Sequence, residues 1–236
     1  MKPMCMFSYY GSKSQRVHHY PAPNYPLIVE PFAGGACYAL RHAEGRQVVI
    51  NDLSVRTYNL WQYLTSTPMD EILMSVPDAV VKGQNVDELV PDGAHPGLRE
   101  LLRANANMGT LGSSGTHKRV TWFAELNWRQ VKERLRYFLP KVRGWKVSNF
   151  DYKSMENIEA TWFIDPPYNN AAGKRYLHSS IDYSELAAWC KSLRGQVIVC
   201  ENVGADWLDF KPLVVGKSRG GVKRAMEAIW TNNGVD

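Results

Sequence analysis

Asp165-Pro166-Pro167-Tyr168 follows the apolar run Thr161-Trp162-Phe163-Ile164 and precedes Asn169-Asn170. A strand that ends in a carboxylate, two prolines and an aromatic leaves the sheet stiffly. The residue before each proline is driven to extended geometry, and Pro167 lacks the N–H that a continuing ladder needs. Backbone carbonyls, the Asp165 carboxylate and the Tyr168 ring are thereby held around one small planar group. The chemistry this suits is an exocyclic amine on a flat ring: acceptors take its protons while the aromatic face stacks on the ring. A plain strand end with a proline turn is the alternative for Asp-Pro-Pro alone, and the upstream sequence decides against it.

The elements that must position these groups form an α/β pattern. Leu27-Ile28-Val29-Glu30-Pro31-Phe32 reads as a strand, followed by Ala33-Gly34-Gly35-Ala36 and a helix from Cys37 to Glu44. Gln47 to Ile50 is a second buried strand ending at Asn51-Asp52, and a helix capped by Ser54 runs to Leu64. This is the first half of a nucleotide-binding crossover unit. Ala160 to Ile164 is a further parallel strand, then comes a helix over Tyr183–Leu193 and a strand over Gln196–Cys200. Lys211–Val215 and Ala225–Trp230 are two strands joined around Gly220-Gly221. Glycine in the first turn lets backbone approach a ligand, and the following helix N-terminus favours a carboxylate or phosphate. Asp52 is placed to hold a ribose hydroxyl pair, with capping of the nearby helix as its competing role. The Gly-x-Gly-x-x-Gly pattern is absent, which argues against a nicotinamide or flavin enzyme.

About a hundred residues separate Asp52 from Asp165, too many for one or two crossovers with ~4–6 residue loops. The interval reads as an inserted, mainly helical recognition subdomain. Its glycine-serine stretch Gly109–Gly115 is expected to be a mobile loop, and it lacks the Lys-Ser/Thr ending of a phosphate-binding loop. From His117 to Lys146 nine Lys or Arg face only Glu125 and Glu133, a local charge of +7; the rest of the chain then carries −2 of the total +5. Such an excess is the footprint of a surface that meets phosphates. Trp128, Val131, Leu135 and Phe138 recur at helical spacing and should face inward, leaving Arg129, Lys132 and Arg136 on another face. The aromatics Trp122, Phe123, Tyr137 and Trp145 of this segment mostly fit helix-core positions too.

Composition is that of a globular chain: 236 residues, 44% hydrophobic and 22% charged, enough for one domain with an insertion. No apolar stretch approaches the ~20 residues that span a bilayer, and the first residues lack a signal-peptide core. Cys5, Cys37, Cys190 and Cys200 are scattered without metal-ligand spacing, so reduced structural thiols in a cytoplasm are expected and no metal site is.

Pro31-Phe32-Ala33-Gly34-Gly35, Asn51-Asp52 and Asp165-Pro166-Pro167-Tyr168 resemble the motifs of the Dam-type (D12, α-group) N6-adenine DNA methyltransferases. Tyr9-Tyr10-Gly11-Ser12-Lys13 resembles the family's aromatic-x-Gly-Gly-Lys element, with serine for the second glycine. Glu227-Ala228-Ile229-Trp230-Thr231-Asn232 and Val199-Cys200-Glu201-Asn202 are similar to small phage-borne members. The order of motifs also matches, whereas the insertion shows no clear match to the family's DNA-recognition elements.

The resemblance implies a Rossmann-like class I S-adenosylmethionine-dependent methyltransferase fold. Residues 1–60 and 146–236 would form its catalytic domain, and 61–145 the inserted target-recognition subdomain. It further implies methyl transfer from S-adenosyl-L-methionine to the N6 amine of adenine flipped out of double-stranded DNA, by a monomer or weak dimer in the cytoplasm of a bacterial or phage-infected cell. Asp165, Pro166, Pro167 and Tyr168 would be catalytic. Tyr9 or Tyr10, Lys13, Phe32, Ala33, Gly34, Asp52 and Asp165 would contact the cofactor, with Glu30, Pro31, Gly35 and Leu53 in the same site. Lys118, Arg119, Asn127, Arg129, Lys132 and Arg136 are the candidate DNA contacts. Two other readings stay open: a methyltransferase acting on RNA or a protein amide, and a non-catalytic DNA-binding relative.

Overall fold

The computed structural model of the chain describes residues 5–107, 111–113, 118–217 and 223–233. Its strands are β1 (Leu27–Glu30), β2 (Gln47–Asn51), β3 (Lys146–Ser148), β4 (Ala160–Ile164), β5 (Gly195–Glu201), β6 (Lys211–Lys217) and β7 (Lys223–Thr231). They form one sheet in the order β3-β2-β1-β4-β5-β7-β6. The first five are parallel, and β7 joins β5 antiparallel with β6 antiparallel at the edge. This is the α/β sheet expected, consistent with a class I methyltransferase fold. The order reverses direction at the β1/β4 junction, where open parallel sheets make a crevice at their carboxyl ends.

The strands read as continuous apolar runs because both faces are covered. Ile28, Ile50, Phe163, Ile198 and Cys200 point into one core. Val29, Trp162, Ile164, Val197 and Val199 point into the other. The second core is closed by helix α7 (Tyr183–Ser192), capped by Asp182, whose Oδ1 accepts from the Ser184 and Glu185 N–H groups. The first is closed by α1 (Cys37–His42), α2 (Val55–Ser66), α3 (Met69–Ser75), α4 (Pro96–Ala106), α5 (Trp122–Asn127) and α6 (Arg129–Val142). In α2, Thr57, Leu60, Trp61 and Leu64 form the buried stripe, and Ser54 caps the helix by accepting from Thr57 N–H.

The helices between 69 and 142 share this core with the sheet: Ile72, Leu98, Leu101, Leu135 and Leu139 belong to the same buried cluster as Leu60 and Trp61. The α2–α4 contact is close. A Cβ added at Gly97 would lie 2.2 Å from the Asn59 carbonyl oxygen and 2.4 Å from Tyr63 Cβ. Gly97→Ala is therefore expected to cost about 1–3 kcal/mol by overpacking, read as a lower urea midpoint. An unchanged midpoint would mean that the two helices separate without penalty.

Element bounds differ from the sequence reading mainly at ends. The first strand stops at Glu30 rather than Phe32, because the chain turns at Pro31. β3 was not anticipated. The turn at Gly220-Gly221 lies outside the described residues. Cys37, Cys190 and Cys200 are buried, Cys5 is partly so, and all four are unpaired. Among the described residues no helix is long and apolar enough to cross a membrane, and no cluster of His, Cys, Asp or Glu has metal-holding geometry.

Candidate active site

The turn after β1 is held from several sides. Ala33 N–H donates to the Asn51 carbonyl at 2.9 Å, Gly34 N–H to Asp52 Oδ2 at 2.9 Å, and Trp61 Nε1–H to the Gly34 carbonyl at 2.8 Å. Gly34 has φ +48°, and a Cβ there would meet Tyr9 Cε1 at 2.7 Å, so backbone freedom and ring contact both require glycine. Asp52 Oδ1 accepts from Ser54 N–H at 2.9 Å; Ser54 is the helix cap, and Asp52 bridges it to the turn. Asn51 ties three strand ends together: its Nδ2 donates to the Pro31 and Phe150 carbonyls at 3.1 and 3.0 Å, and its Oδ1 accepts from Phe150 N–H. The α1 N-terminus is not left open to a ligand, because Glu30 Oε1 accepts from Ala39 N–H at 2.6 Å.

This turn floors a cavity enclosing about 1110 Å³ of atom-free space, part of it open to solvent. Tyr9, Tyr10, Lys13, Glu30, Pro31, Phe32, Ala33, Gly34, Gly35, Asp52, Leu53 and Asp165 all line it. Sequence reasoning missed two walls. One comes from beyond β3, where Phe150, Asp151 and Tyr152 line the cavity and the Tyr152 ring lies 5.3 Å from that of Phe32. The other is Tyr176–His178 and Ser180–Asp182 with Gly112. The Leu111–Ser113 piece of the expected mobile loop is a strap: Leu111 is fully buried and accepts from Tyr10 N–H at 3.0 Å, while Leu177 N–H donates to the Gly112 carbonyl at 3.2 Å. Tyr176 Oη–H donates to the Tyr10 carbonyl at 3.1 Å, and the two rings meet edge to face at 5.0 Å. Gly109, Thr110 and residues 114–115 lie outside the described residues.

Asp165 ends β4 at the switch point. Lys13 Nζ donates to its Oδ1 at 2.6 Å, lies 3.8 Å from Glu227 Oε1, and stands 4.6 Å over the Tyr168 ring centroid. Tyr168 donates its hydroxyl to Glu227 Oε1, and Arg16 Nη1 donates to Glu227 Oε2 at 2.6 Å. Glu227, on β7, is fully buried. A second buried carboxylate, Glu201, accepts from Asn169 N–H, Asn202 N–H and Trp207 Nε1–H at 3.0, 2.8 and 3.0 Å. Tyr183 Oη–H takes the Pro167 carbonyl at 2.7 Å, whereas the Pro166 carbonyl accepts no hydrogen bond among the described residues. Asp165 and Pro167 face the cavity; Pro166 and Tyr168 do not line it. One face of the Tyr168 ring is covered by the Lys13 ammonium, so a stacked base would need the other.

Burial pushes the Asp165 carboxyl up to about 6, against the pull of Lys13. It likewise raises Asp52 to about 6, with the Gly34 and Ser54 N–H groups opposing, and Glu30 to about 8. Burial works against the Lys13 charge, yet Asp165 and Glu227 leave it more firmly protonated than a free lysine. The cavity thus gathers three desolvated carboxylates, of which Lys13 pairs with Asp165, a field that suits a positively charged ligand.

The candidate DNA contacts lie on the helical side and scatter more widely. Arg129 and Arg136 are exposed on α6, while Lys132 is paired with Asp78. Lys118 is half exposed, 3.7 Å from Asp87, and Arg119 donates to the Gly83 carbonyl. Asn127 donates to the Phe123 carbonyl. Trp128, Val131, Leu135 and Phe138 are buried as expected, but Trp122 and Phe123 are 56% and 50% exposed. A six-residue helix turns only one short face inward, and in α5 Ala124 occupies it.

Residues 9–90 match the sequence model of a family described as D12 class N6 adenine-specific DNA methyltransferase. The match spans the aromatic-Gly-Ser-Lys element, the turn after β1 and Asn51-Asp52. It bears out the resemblance read from those motifs and stops short of Asp165-Pro166-Pro167-Tyr168. None of the curated proteins compared matches the chain.

Proposed function

Proceeding from a chain whose residues 9–90 carry the D12-class adenine methyltransferase signature, we propose that the protein transfers a methyl group from S-adenosylmethionine to the N6 amine of an adenine extruded from duplex DNA. The observation that carries this reading is the cavity at the β1/β4 switch point, where Glu30, Asp52 and Asp165 converge. S-adenosylmethionine supplies a methyl on a positively charged sulfonium. The donor set fits it: carboxylates for its cationic part, Asp52 at the strand end for ribose hydroxyls, and the Phe32 and Tyr152 rings as an aromatic wall. Gly34 lets the Tyr9 ring close against the turn as a further wall of the cavity.

Asp165 and the Pro166 carbonyl, which accepts no other hydrogen bond among the described residues, are the acceptors for the two amine protons. Accepting both localises the nitrogen lone pair, which adenine otherwise shares with its ring, so positioning and electrostatics do the catalytic work. Lys13 keeps Asp165 oriented and ionised. Glu227 and Glu201 hold the loop on both sides of the tetrapeptide, Glu227 through Tyr168 and Glu201 through Asn169. A paired adenine is inaccessible, so extrusion costs ~ a few kcal/mol, which stacking of ~1–3 kcal/mol on Tyr168 partly offsets. Arg129 and Arg136 on α6 are in place to meet backbone phosphates, with the helical layer as the target-recognition part.

The decisive experiment combines purified protein, methyl-labelled S-adenosylmethionine and plasmid DNA. Label is expected in DNA, sensitive to DNase and recovered as N6-methyladenine. Label recovered in RNA or in a protein amide instead would replace this reading with one of those substrates, and no transfer to any of them would leave a binding protein.

The cavity also makes a thermodynamic prediction. At pH 7 Glu30 is largely protonated, because its pKa lies near 8, and a bound cation favours its ionised form. Binding of S-adenosylmethionine should therefore release protons, a fraction of one per ligand. S-adenosylhomocysteine, without the sulfonium charge, should release fewer. Calorimetry in two buffers of different ionisation heat measures this, and identical heats in both would refute it.

A further inference from the structure

A second concavity lies across the wall formed by Tyr9 and Ser12, which line both it and the cofactor cavity. It holds about 770 Å³ of atom-free space, open to solvent in part, between the N-terminal segment and helices α4, α5 and α6. The groups that give it chemical character are Asn105, Phe123, Asn127 and Arg134.

Arg134 is the unusual one. Its Nη2 donates to Asn105 Oδ1 at 2.7 Å, while its Nε is buried with no hydrogen-bond partner. Among the described residues it makes no ion pair with a carboxylate, whereas the partly buried Arg16, Arg56 and Arg103 each do. Burial lowers its pKa, so its charge is held at a cost. That Nε is enclosed by protein; what Arg134 brings to the opening is a partly desolvated charge with no carboxylate to balance it among the described residues. At the rim stands the half-exposed Phe123 ring, with Trp122 and Leu126 exposed beside it on α5. Asn127 adds an amide whose Oδ1 accepts from Gln130 at 3.3 Å.

A planar cation, an aromatic face and an amide around one opening are the parts that read a nucleobase: the ring stacks, and guanidinium and amide address its polar edge. The position favours a base close to the reacting one, since Ser12 precedes Lys13, whose ammonium holds Asp165. We propose that this pocket receives the base neighbouring the target adenine, read through an acceptor edge by Arg134 and stacked on Phe123. Arg134 is then a specificity-determining residue, outside the set expected from the sequence. The inference rests on the DNA-methylation reading above and assigns its sequence preference.

The test is long-read sequencing of DNA methylated in vitro by the full chain and by Arg134→Met, Arg134→Lys and Phe123→Ala, with calorimetric binding of S-adenosylmethionine as the control. The parent should favour one base, or one pair of bases, at a position next to the modified adenine. Arg134→Met should relax that preference roughly 10-fold, as expected for loss of a specific base contact. Arg134→Lys should relax it too, because lysine keeps the charge without the planar fork. Phe123→Ala, a change at an exposed position, should weaken DNA binding with little effect on the cofactor. A parent that methylates adenines with no neighbour preference, or Arg134 variants that bind cofactor and keep the parental preference, would overturn the inference while leaving the function standing. A parent that methylates no DNA at all would remove the function as well.

Discussion

Asp165→Ala is expected to slow methyl transfer by at least about 10²–10³-fold, the loss that follows removal of one preorganised group from a reacting centre. The fold should survive. Lys13 remains 3.8 Å from Glu227, so its buried charge keeps a partner, and Pro166-Pro167 still set the backbone. Glu30 and Asp52 also remain in the cavity, so cofactor affinity should fall far less than the rate. Single-turnover transfer from labelled S-adenosylmethionine separates the two effects. Asp165→Asn is the sharper version: it preserves shape but replaces one acceptor oxygen by a donor. A rate equal to the parent's in either variant would remove Asp165 from the chemistry.

Lys13→Met should act through acidity. With Lys13 present, Asp165 titrates at about 6, and the rate should fall as pH drops through that value because the protonated carboxyl accepts poorly. Lys13 lowers that pKa; without it the acidic limb of kcat/KM moves to higher pH, and activity at neutral pH falls. Stability follows the same proton. The folded Asp165 pKa lies above the ordinary aspartate value, so the folded chain holds the proton more tightly than the unfolded one. Its contribution to stability is therefore largest at low pH and is lost as pH rises through the folded value. In Lys13→Met that loss extends further upward, and breaking the pair costs about 3–5 kcal/mol near neutrality. A pH profile with an unmoved acidic limb would mean that Asp165 is not the group whose ionisation governs the rate.

Much of this architecture is legible in the sequence where a local rule coincides with burial. β1, β2, β4 and β5 are apolar on both faces, so each announces itself as a short continuous run. Ser54 marks a helix start because its side chain reaches the N–H of Thr57. Asp165-Pro166-Pro167 is legible since proline geometry acts within the tetrapeptide. Other features depend on partners far along the chain. β3 is three residues with an exposed and two half-buried side chains, too little pattern to distinguish from a loop, and so the Phe150–Tyr152 wall behind it was missed. Glu227 and Glu201 look like ordinary strand charges until Arg16, Tyr168 and Trp207 are brought to them. Trp122 and Phe123 follow a helical rhythm, but a helix of six residues ends before that rhythm determines a core face. Arg134 sits among eight other cations in its segment, and only the fold shows that it, unlike Arg129, is partly buried beside Asn105.

The Tyr9 ring has a consequence for how this chain can vary. A Cβ at Gly34 would lie 2.7 Å from it, and a Cβ at Gly112, where φ is +89°, would lie 2.5 Å from it. Three positions spread across the first half of the sequence therefore share one volume. A side chain gained at either glycine must be matched by ring atoms given up at position 9, and the loss of that ring removes the wall common to both cavities. Both glycines also hold a positive φ, so ring atoms given up at position 9 still leave a side chain there strained. The corner is fixed twice over, and its two glycines should persist whatever stands at position 9.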